Sequence, residues 1–376
     1  LKRIAVVFGT RPEAIKLAPV LLTLRSRSET FDVRVIVTSQ HREMLDQVLR
    51  LFDIVPDYDL SIMLRGQCLF DVTSRALVGL KGIFDKEEPD IVLVQGDTTT
   101  AFAASLSAFY QKRLVAHVEA GLRTGGKYSP FPEELNRKMI SALADYHFAP
   151  TLQAKANLLA EGYPESAIFL TGNTVVDALL WVLERIDKEP LKSQLADRFS
   201  FLKPERRLIL VTAHRRESFG LPLQNVCCAI KEIAASNPDV DVVYPVHLNP
   251  NVNAPVRESL GAIERVHLTE PLGYDSLVYL MKRCYLILTD SGGIQEEAPT
   301  LKKPVLVLRE LTERPEAVEA GTAVVVGTDP TRIVGRTQAL LDSLAEYAKT
   351  TVGENPFGNG HAAVRIVDIL GGRGLS

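Results

Sequence analysis

The sequence is short of several things, and each shortage removes a class of answers. Cysteine occurs four times in 376 residues, as Cys68, Cys227, Cys228 and Cys284. None of these spacings matches a metal-ligand pattern, and the adjacent pair falls in an apolar helical pattern, so buried thiols are expected. Charge of neither sign dominates: 43 Lys and Arg stand against 46 Asp and Glu, for a net charge of −3. The basic surplus that duplex nucleic acid demands is missing, and no nucleic-acid partner is expected. No apolar run approaches the roughly 20 residues of a membrane span. Leu1-Lys2-Arg3 leads directly into a strand-like run instead of a signal-peptide core, so the expectation is a cytoplasmic protein with no membrane partner. Neither the Gly-x-Gly-x-x-Gly fingerprint nor a Gly-Lys-Ser/Thr phosphate loop occurs. With no metal-ligand cluster either, no cofactor is expected.

What the chain does have is a repeated alternation of short apolar runs and helical patterns. Ile4–Phe8, Val33–Thr38, Ile91–Val94 and Leu114–Val118 occupy the first half; Ile209–Thr212, Val240–Val246, Leu286–Thr289 and Val305–Leu308 occupy the second. Each run is continuously apolar without strict alternation, as parallel strands covered on both faces require. The predicted fold class is therefore α/β, with two Rossmann-like, doubly wound domains facing a cleft. The length fits two cores better than one. The reading is an N-terminal domain at 1–170, a C-terminal domain at 171–360 and a terminal helix at 361–376 packing back on the first. The least structured stretch, Glu184–Arg207, carries Pro190 and Pro204 and belongs near the junction.

Every unusual motif begins where an apolar run stops, the position at which doubly wound sheets bind ligands. Leu286–Pro299 reads LILTDSGGIQEEAP. Gly292 and Gly293 let the backbone approach an anion, while at least one of Glu296 and Glu297 must turn aside, free to accept hydrogen bonds from sugar hydroxyls. A nucleotide sugar fits both halves of that description; an ordinary Gly-rich turn capped by Asp290 or Ser291 fits the segment as well. After the first strand, Arg11 and Lys16 in FGTRPEAIK offer two cations to a diphosphate. The same residues also read as a helix start with Pro12 in its first turn, Glu13 complementing the dipole and both cations solvated.

Asp97 in QGDTTT, Glu119 in HVEAGLRT, and Glu133 and Glu134 in FPEELNRK follow neighbouring runs and can converge. Crowded carboxylates raise one another's pKa, which yields a protonated acid beside an ionised base. Asp97 alone also reads as a helix cap. His214 in AHRRES, flanked by arginines, is suited to donate to a departing diphosphate, or is a structural residue at a strand end. His247 ends another such run. Arg309 and Arg314 in RELTERPE clamp a ribose or phosphate, or pair with Glu310, Glu313 and Glu316 on a solvated surface.

Taken together, FGTRPEAIK, QHREML, QGDTTT, HVEAGLRT, FPEELNRK, TGNTVVDALLW, HRRESFG, YPVHLNPNV, TDSGGIQEEAP and TERPEAVEAGT resemble the non-hydrolysing UDP-N-acetylglucosamine 2-epimerases nearly end to end. The resemblance implies the GT-B architecture, with the second domain binding UDP. It also implies reversible C2 epimerisation of UDP-N-acetylglucosamine to UDP-N-acetylmannosamine, by elimination of UDP and re-addition through 2-acetamidoglucal, supplying N-acetylmannosamine units for cell-surface polysaccharide. Asp97, Glu119, Glu133 and His214 are then catalytic, and Arg11, Lys16, Ser291, Gly292, Gly293, Glu297 and Arg314 bind the substrate and its UDP. Gln40, Gln47, Glu134, Arg215 and His247 fall in the motifs that would hold a second UDP-N-acetylglucosamine as allosteric activator, and a homodimer is implied. Two departures stand out. Leu277 takes the place of an aromatic near the uracil, and Arg309-Glu310-Leu311 replaces Arg-Asp-Thr. A 2-epimerase for a modified UDP-sugar and a GT-B glycosyltransferase are the alternatives.

Overall fold

The computed structural model describes residues 1–39, 42–63, 66–213, 215 and 219–372. The chain divides into two compact units, Leu1–Ala178 with Phe357–Ser376, and Leu179–Pro356. The boundary cuts the helix Thr174–Ile186, ahead of the Pro-containing stretch expected to hold the junction. That stretch is not a linker: it contains the helix Leu191–Arg198, after which the buried Phe199 stacks on Tyr279 at 5.4 Å within the second unit.

The first unit is built on a seven-stranded sheet: β1 (Lys2–Phe8), β2 (Phe31–Val37), β3 (Tyr58–Asp59), β4 (Ile91–Gln95), β5 (Leu114–Val118), β6 (Tyr146–Ala149) and β7 (Ile168–Leu170). Its order is β3-β2-β1-β4-β5-β6-β7, and neighbours pair in parallel. Val6, Val7 and Phe8 are wholly buried, which is why the run is apolar on consecutive residues. The chain winds outward from β1 to β3, then returns to start β4 on the other side of β1. The loops after β1 and β4 therefore flank a switch point.

The second unit repeats the scheme with β8 (Arg207–Thr212), β9 (Val240–Pro245), β10 (Val266–Thr269), β11 (Leu286–Thr289), β12 (Val305–Val307) and β13 (Ala323–Val325). The order β10-β9-β8-β11-β12-β13, again with parallel neighbours, puts its switch point between β8 and β11. At that point the hydroxyls of Thr212 and Thr289 lie 2.6 Å apart and the Asp290 N–H donates to Thr212 O at 3.0 Å. The core on one side of this sheet includes Ile209, Val211, Val226, Ile230, Val242, Leu288 and Ile333.

The helix Ala362–Leu370 belongs to the first unit. Asp177 caps it, accepting from Ala363 N at 2.8 Å and Ala362 N at 3.2 Å. Arg27 pairs with Asp368 at 2.6 Å, and the Lys2 ammonium donates to Leu370 O at 2.9 Å. The expectation of four buried thiols holds for Cys227 and Cys284 only. Cys68 and Cys228 are exposed, one at the N-cap of the helix Leu69–Glu87 and the other on the outer side of Leu221–Ser236. Among the described residues no helix is long and apolar enough to cross a membrane.

Candidate active site

In the first unit the loop after β1 is shaped by close approach. A Cβ on Gly9 would lie 2.2 Å from Thr38 Oγ1 and 2.6 Å from Thr100 Oγ1, so only glycine fits without rearrangement. Glu13, read from the sequence as complementing the helix dipole, is also a buried tie between loops. It is 1% exposed and accepts from Thr10 N at 2.8 Å, Gly9 N at 3.0 Å and Thr98 Oγ1 at 2.6 Å. Burial pushes its carboxyl pKa up, and the bonds from Thr98, Gly9 and Thr10 partly offset that rise. The Thr98 hydroxyl also accepts from Ala101 N at 3.0 Å, capping the helix Thr99–Tyr110. Glu13 thus ties the turn at Gly9-Thr10, where the helix Arg11–Arg25 begins, to the loop bearing Asp97.

The carboxylates do come to neighbouring strand ends. Gln95 and Val118 are register partners in β4 and β5, and Asp97 and Glu119 follow them. Asp97 and Glu119 are each matched with a cation. Arg137, on the helix Glu133–Leu143, donates to Asp97 Oδ2 through Nε at 3.2 Å and through Nη2, while its Nη1 reaches Glu134 at 3.1 Å. Asn136 Nδ2 holds the Asp97 carbonyl at 2.9 Å. Lys16 forms an ion pair with Glu119, which also accepts from Asn173 Nδ2 at 3.3 Å. Glu119 sits at φ +65°, a left-handed conformation rare outside glycine and enriched at functional sites. Two residues on, Gly121 at φ +91° has no room for a side chain, since a Cβ would meet Ala154 O at 2.2 Å. Glu133 opens its helix half-buried, and its Oε2 has no hydrogen-bond partner among the described residues.

In the second unit the loops after β8 and β11 are fastened together, for the wholly buried Asp290 accepts the Arg215 N–H at 2.8 Å. Ser291 N–H turns back to Thr289 Oγ1 at 2.9 Å, and the helix Gly292–Glu297 that follows is only six residues long. Both of its glutamates are interior. Glu296 pairs with Arg314, and Glu297 accepts from the buried Tyr274 hydroxyl. The Arg314 and Arg215 guanidiniums lie against the glycine turn, 3.5 and 3.7 Å from where a Gly292 Cβ would stand. Arg309 and Arg314 do not pair on a solvated surface. They converge with Arg215 on Glu313, at 3.3 Å for Arg309 and Arg215 and 3.9 Å for Arg314. Burial pushes the Glu313 carboxyl up, but the three guanidiniums outweigh it and hold the pKa below the usual carboxylate range.

Of the residues assigned to an activator, Gln47 is exposed on the helix Arg42–Leu51. His247 is exposed with Nδ1 accepting from Asn249 N at 3.1 Å. Glu134 is 1% exposed, its carboxylate taken up by Thr124 N at 3.0 Å, Gly125 N at 3.2 Å and Arg137. Gln40 and His214 lie outside the described residues. Reading by residue missed Arg137, Asn136, Asn173 and Tyr274. The Glu134–Arg137 spacing of three on a helix was the one local signal available. Among the described residues no three His, Cys, Asp or Glu side chains form a metal-binding group.

Comparison with known proteins agrees across the whole chain. The profile of the UDP-N-acetylglucosamine 2-epimerase family matches residues 24–371. The UDP-N-acetylglucosamine 2-epimerase of Yersinia pestis is 55% identical over 98% of this chain and 98% of its own. The crystal structure of the Neisseria meningitidis enzyme bound to UDP-GlcNAc superposes with a TM-score of 0.93 at 50% identity, covering 98% of this chain and 99% of that one. The Methanocaldococcus jannaschii enzyme, in complex with UDP-GlcNAc and UDP, gives 0.82 at 35% identity, covering 98% and 99%. The paired Rossmann-like units are those of the GT-B class. Carboxylates on adjoining strand ends, arginines about a Ser-Gly-Gly turn and near-complete identity of extent with these enzymes converge on one assignment: the chain is an isomerase of the UDP-N-acetylglucosamine 2-epimerase family.

Proposed function

We propose that this enzyme reversibly inverts C2 of UDP-N-acetylglucosamine, giving UDP-N-acetylmannosamine, as a non-hydrolysing epimerase. The observation that carries the reading is the pair of cation-backed carboxylates on adjoining strand ends, Asp97 after β4 and Glu119 after β5. One carboxylate accepts the C2 proton. The C–H electron pair becomes the C1=C2 bond of 2-acetamidoglucal while the C1–O bond breaks and UDP leaves with its electrons. UDP then adds back at C1, and a proton reaches C2 from the opposite face. Electrons and atoms balance without oxidant, reductant or water.

The C2 proton of a nucleotide sugar is barely acidic, so UDP departure must accompany its removal. Arg11 and His214 are assigned to the charge growing on the diphosphate, Lys16 to the carboxylate it already pairs with, and Glu133 to acid or base duty beside Asp97 and Glu119. Ser291, Gly292, Gly293 and Arg314 take the diphosphate, and Glu297 takes the ribose hydroxyls. The product is the form in which N-acetylmannosamine units enter cell-surface polysaccharide. A second UDP-N-acetylglucosamine is assigned as activator to Gln40, Gln47, Arg215 and His247, with Glu134 shaping the Thr124–Gly125 turn. Incubation with UDP-N-acetylglucosamine in deuterated water, followed by NMR of the sugar, tests the chemistry. Deuterium at C2 of the product is expected, and retention of the original hydrogen overturns elimination.

A further inference from the structure

Glu297 ends its six-residue helix with a carboxylate 4% exposed, and the group that meets it is the phenol of Tyr274, itself 3% exposed. Tyr274 is the first residue of the helix Tyr274–Arg283 and is buried there. The Tyr274 hydroxyl donates to Glu297 Oε1. The other oxygen, Oε2, is directed at the glycine turn, 3.9 Å from where a Gly293 Cβ would stand. An ionised carboxylate only accepts, and the terminal torsion of a glutamate is soft. A donor anchored to one oxygen therefore decides where the second oxygen and its lone pairs point.

We infer that Tyr274 is a positioning residue: by anchoring Glu297 Oε1 it presents Oε2 to the ribose hydroxyls, and so sets the enzyme's preference for ribonucleotide over 2′-deoxyribonucleotide sugars. The inference rests on the assignment of Glu297 to the ribose. A site built to receive a hydroxyl rejects the analogue lacking it, because its buried acceptor is left unmatched. Without the Tyr274 donor the carboxylate loses the contact that fixes Oε1, its second oxygen meets the ribose with a less defined geometry, and the difference between the two nucleotides shrinks. The ribose hydroxyls take no part in bond making or breaking at C1 and C2 of the sugar, so binding changes and turnover at saturation does not.

The experiment measures kcat and KM of the wild type, Tyr274→Phe and Glu297→Gln on UDP-N-acetylglucosamine and its 2′-deoxyribose analogue. Tyr274→Phe is expected to raise KM for the ribonucleotide about tenfold, the scale of one hydrogen bond to a charged group, with kcat kept and the ribo-to-deoxyribo ratio of kcat/KM falling by about the same factor. A purely structural tyrosine would depress both substrates alike and leave that ratio untouched, which overturns the inference. If Glu297→Gln collapses the ratio while Tyr274→Phe preserves it, Glu297 reads the ribose without Tyr274, and the inference alone falls. If neither variant alters the ratio, the ribose assignment falls and takes the inference with it. 3-Fluorotyrosine at position 274 keeps ring and hydroxyl and should keep the wild-type ratio; its loss there would show that packing, not the hydrogen bond, governs selectivity.

Discussion

Lys16 and Glu119, 103 residues apart in the chain, form an ion pair that joins the helix after β1 to the end of β5. Both side chains are close to buried, at 12% and 9% exposure, so each neutralises the other's charge away from solvent. Lys16→Met should lower stability by about 3 kcal/mol, the scale for stranding one member of a buried pair. Restoring neutrality with Lys16→Met/Glu119→Gln should recover part of that loss in urea titrations. Activity should not return with it, because Glu119 is assigned to the proton transfer.

Replacing Asp97, Glu119 or Glu133 by its amide should reduce kcat by roughly two orders of magnitude or more while UDP affinity stays near wild type. Calorimetric titration with UDP beside steady-state rates separates the two effects. Wild-type turnover in all three amides would remove the carboxylates from the chemistry.

Arg137→Lys keeps the charge but loses the fork that spans Asp97 and Glu134. The expected result is a fall in kcat of about tenfold to a hundredfold, on the scale of a misplaced acid–base group. KM for the nucleotide sugar should change little. A KM effect with full kcat would assign Arg137 to substrate binding instead.

Two buried histidines give the stability a pH dependence of known sign. Burial holds His117 near a pKa of about 3 and His147 near about 4, against an ordinary 6.5. Both are neutral in the folded state across this range, while the unfolded chain takes up protons below about 6.5. Stability should therefore fall as pH drops from about 6.5 toward about 4, by on the order of 1 kcal/mol per pH unit for each histidine. The His117→Gln variant, which can still donate to the Gly96 carbonyl that His117 Nε2 holds at 2.7 Å, should flatten the slope of melting temperature against pH.

Legibility followed burial and locality. The interior strands β1, β2, β4, β5, β8, β9, β11 and β12 were readable because long apolar runs mark strands covered on both faces. The edge strands β3, β7, β10 and β13, with β6 beside an edge, were missed: they are short, and runs such as YHFA and VHLT carry polar residues. Asp97, Glu119 and the Ser-Gly-Gly turn were visible because strand ends are where doubly wound folds place chemistry. Their partners were not. Arg137 lies 40 residues from Asp97, Asn173 lies 54 from Glu119 and Tyr274 lies 23 from Glu297, and each meeting depends on how helices return to the sheet. The loop contacts of Glu134 and Glu13 went unread for the same reason, since the backbone groups that each carboxylate holds are fixed only once the chain is folded.

The division of the chain also bears on how the protein is made. The second unit is one uninterrupted stretch, whereas the first closes only with residues from Phe357 onward. A ribosome thus finishes the later unit before it delivers the helix that Asp177, Arg27 and Lys2 await. Until then the nascent first unit carries an open apolar seat for Ile366, Val367 and Leu370, all buried in the finished protein. The unit that holds the carboxylates is begun first and completed last.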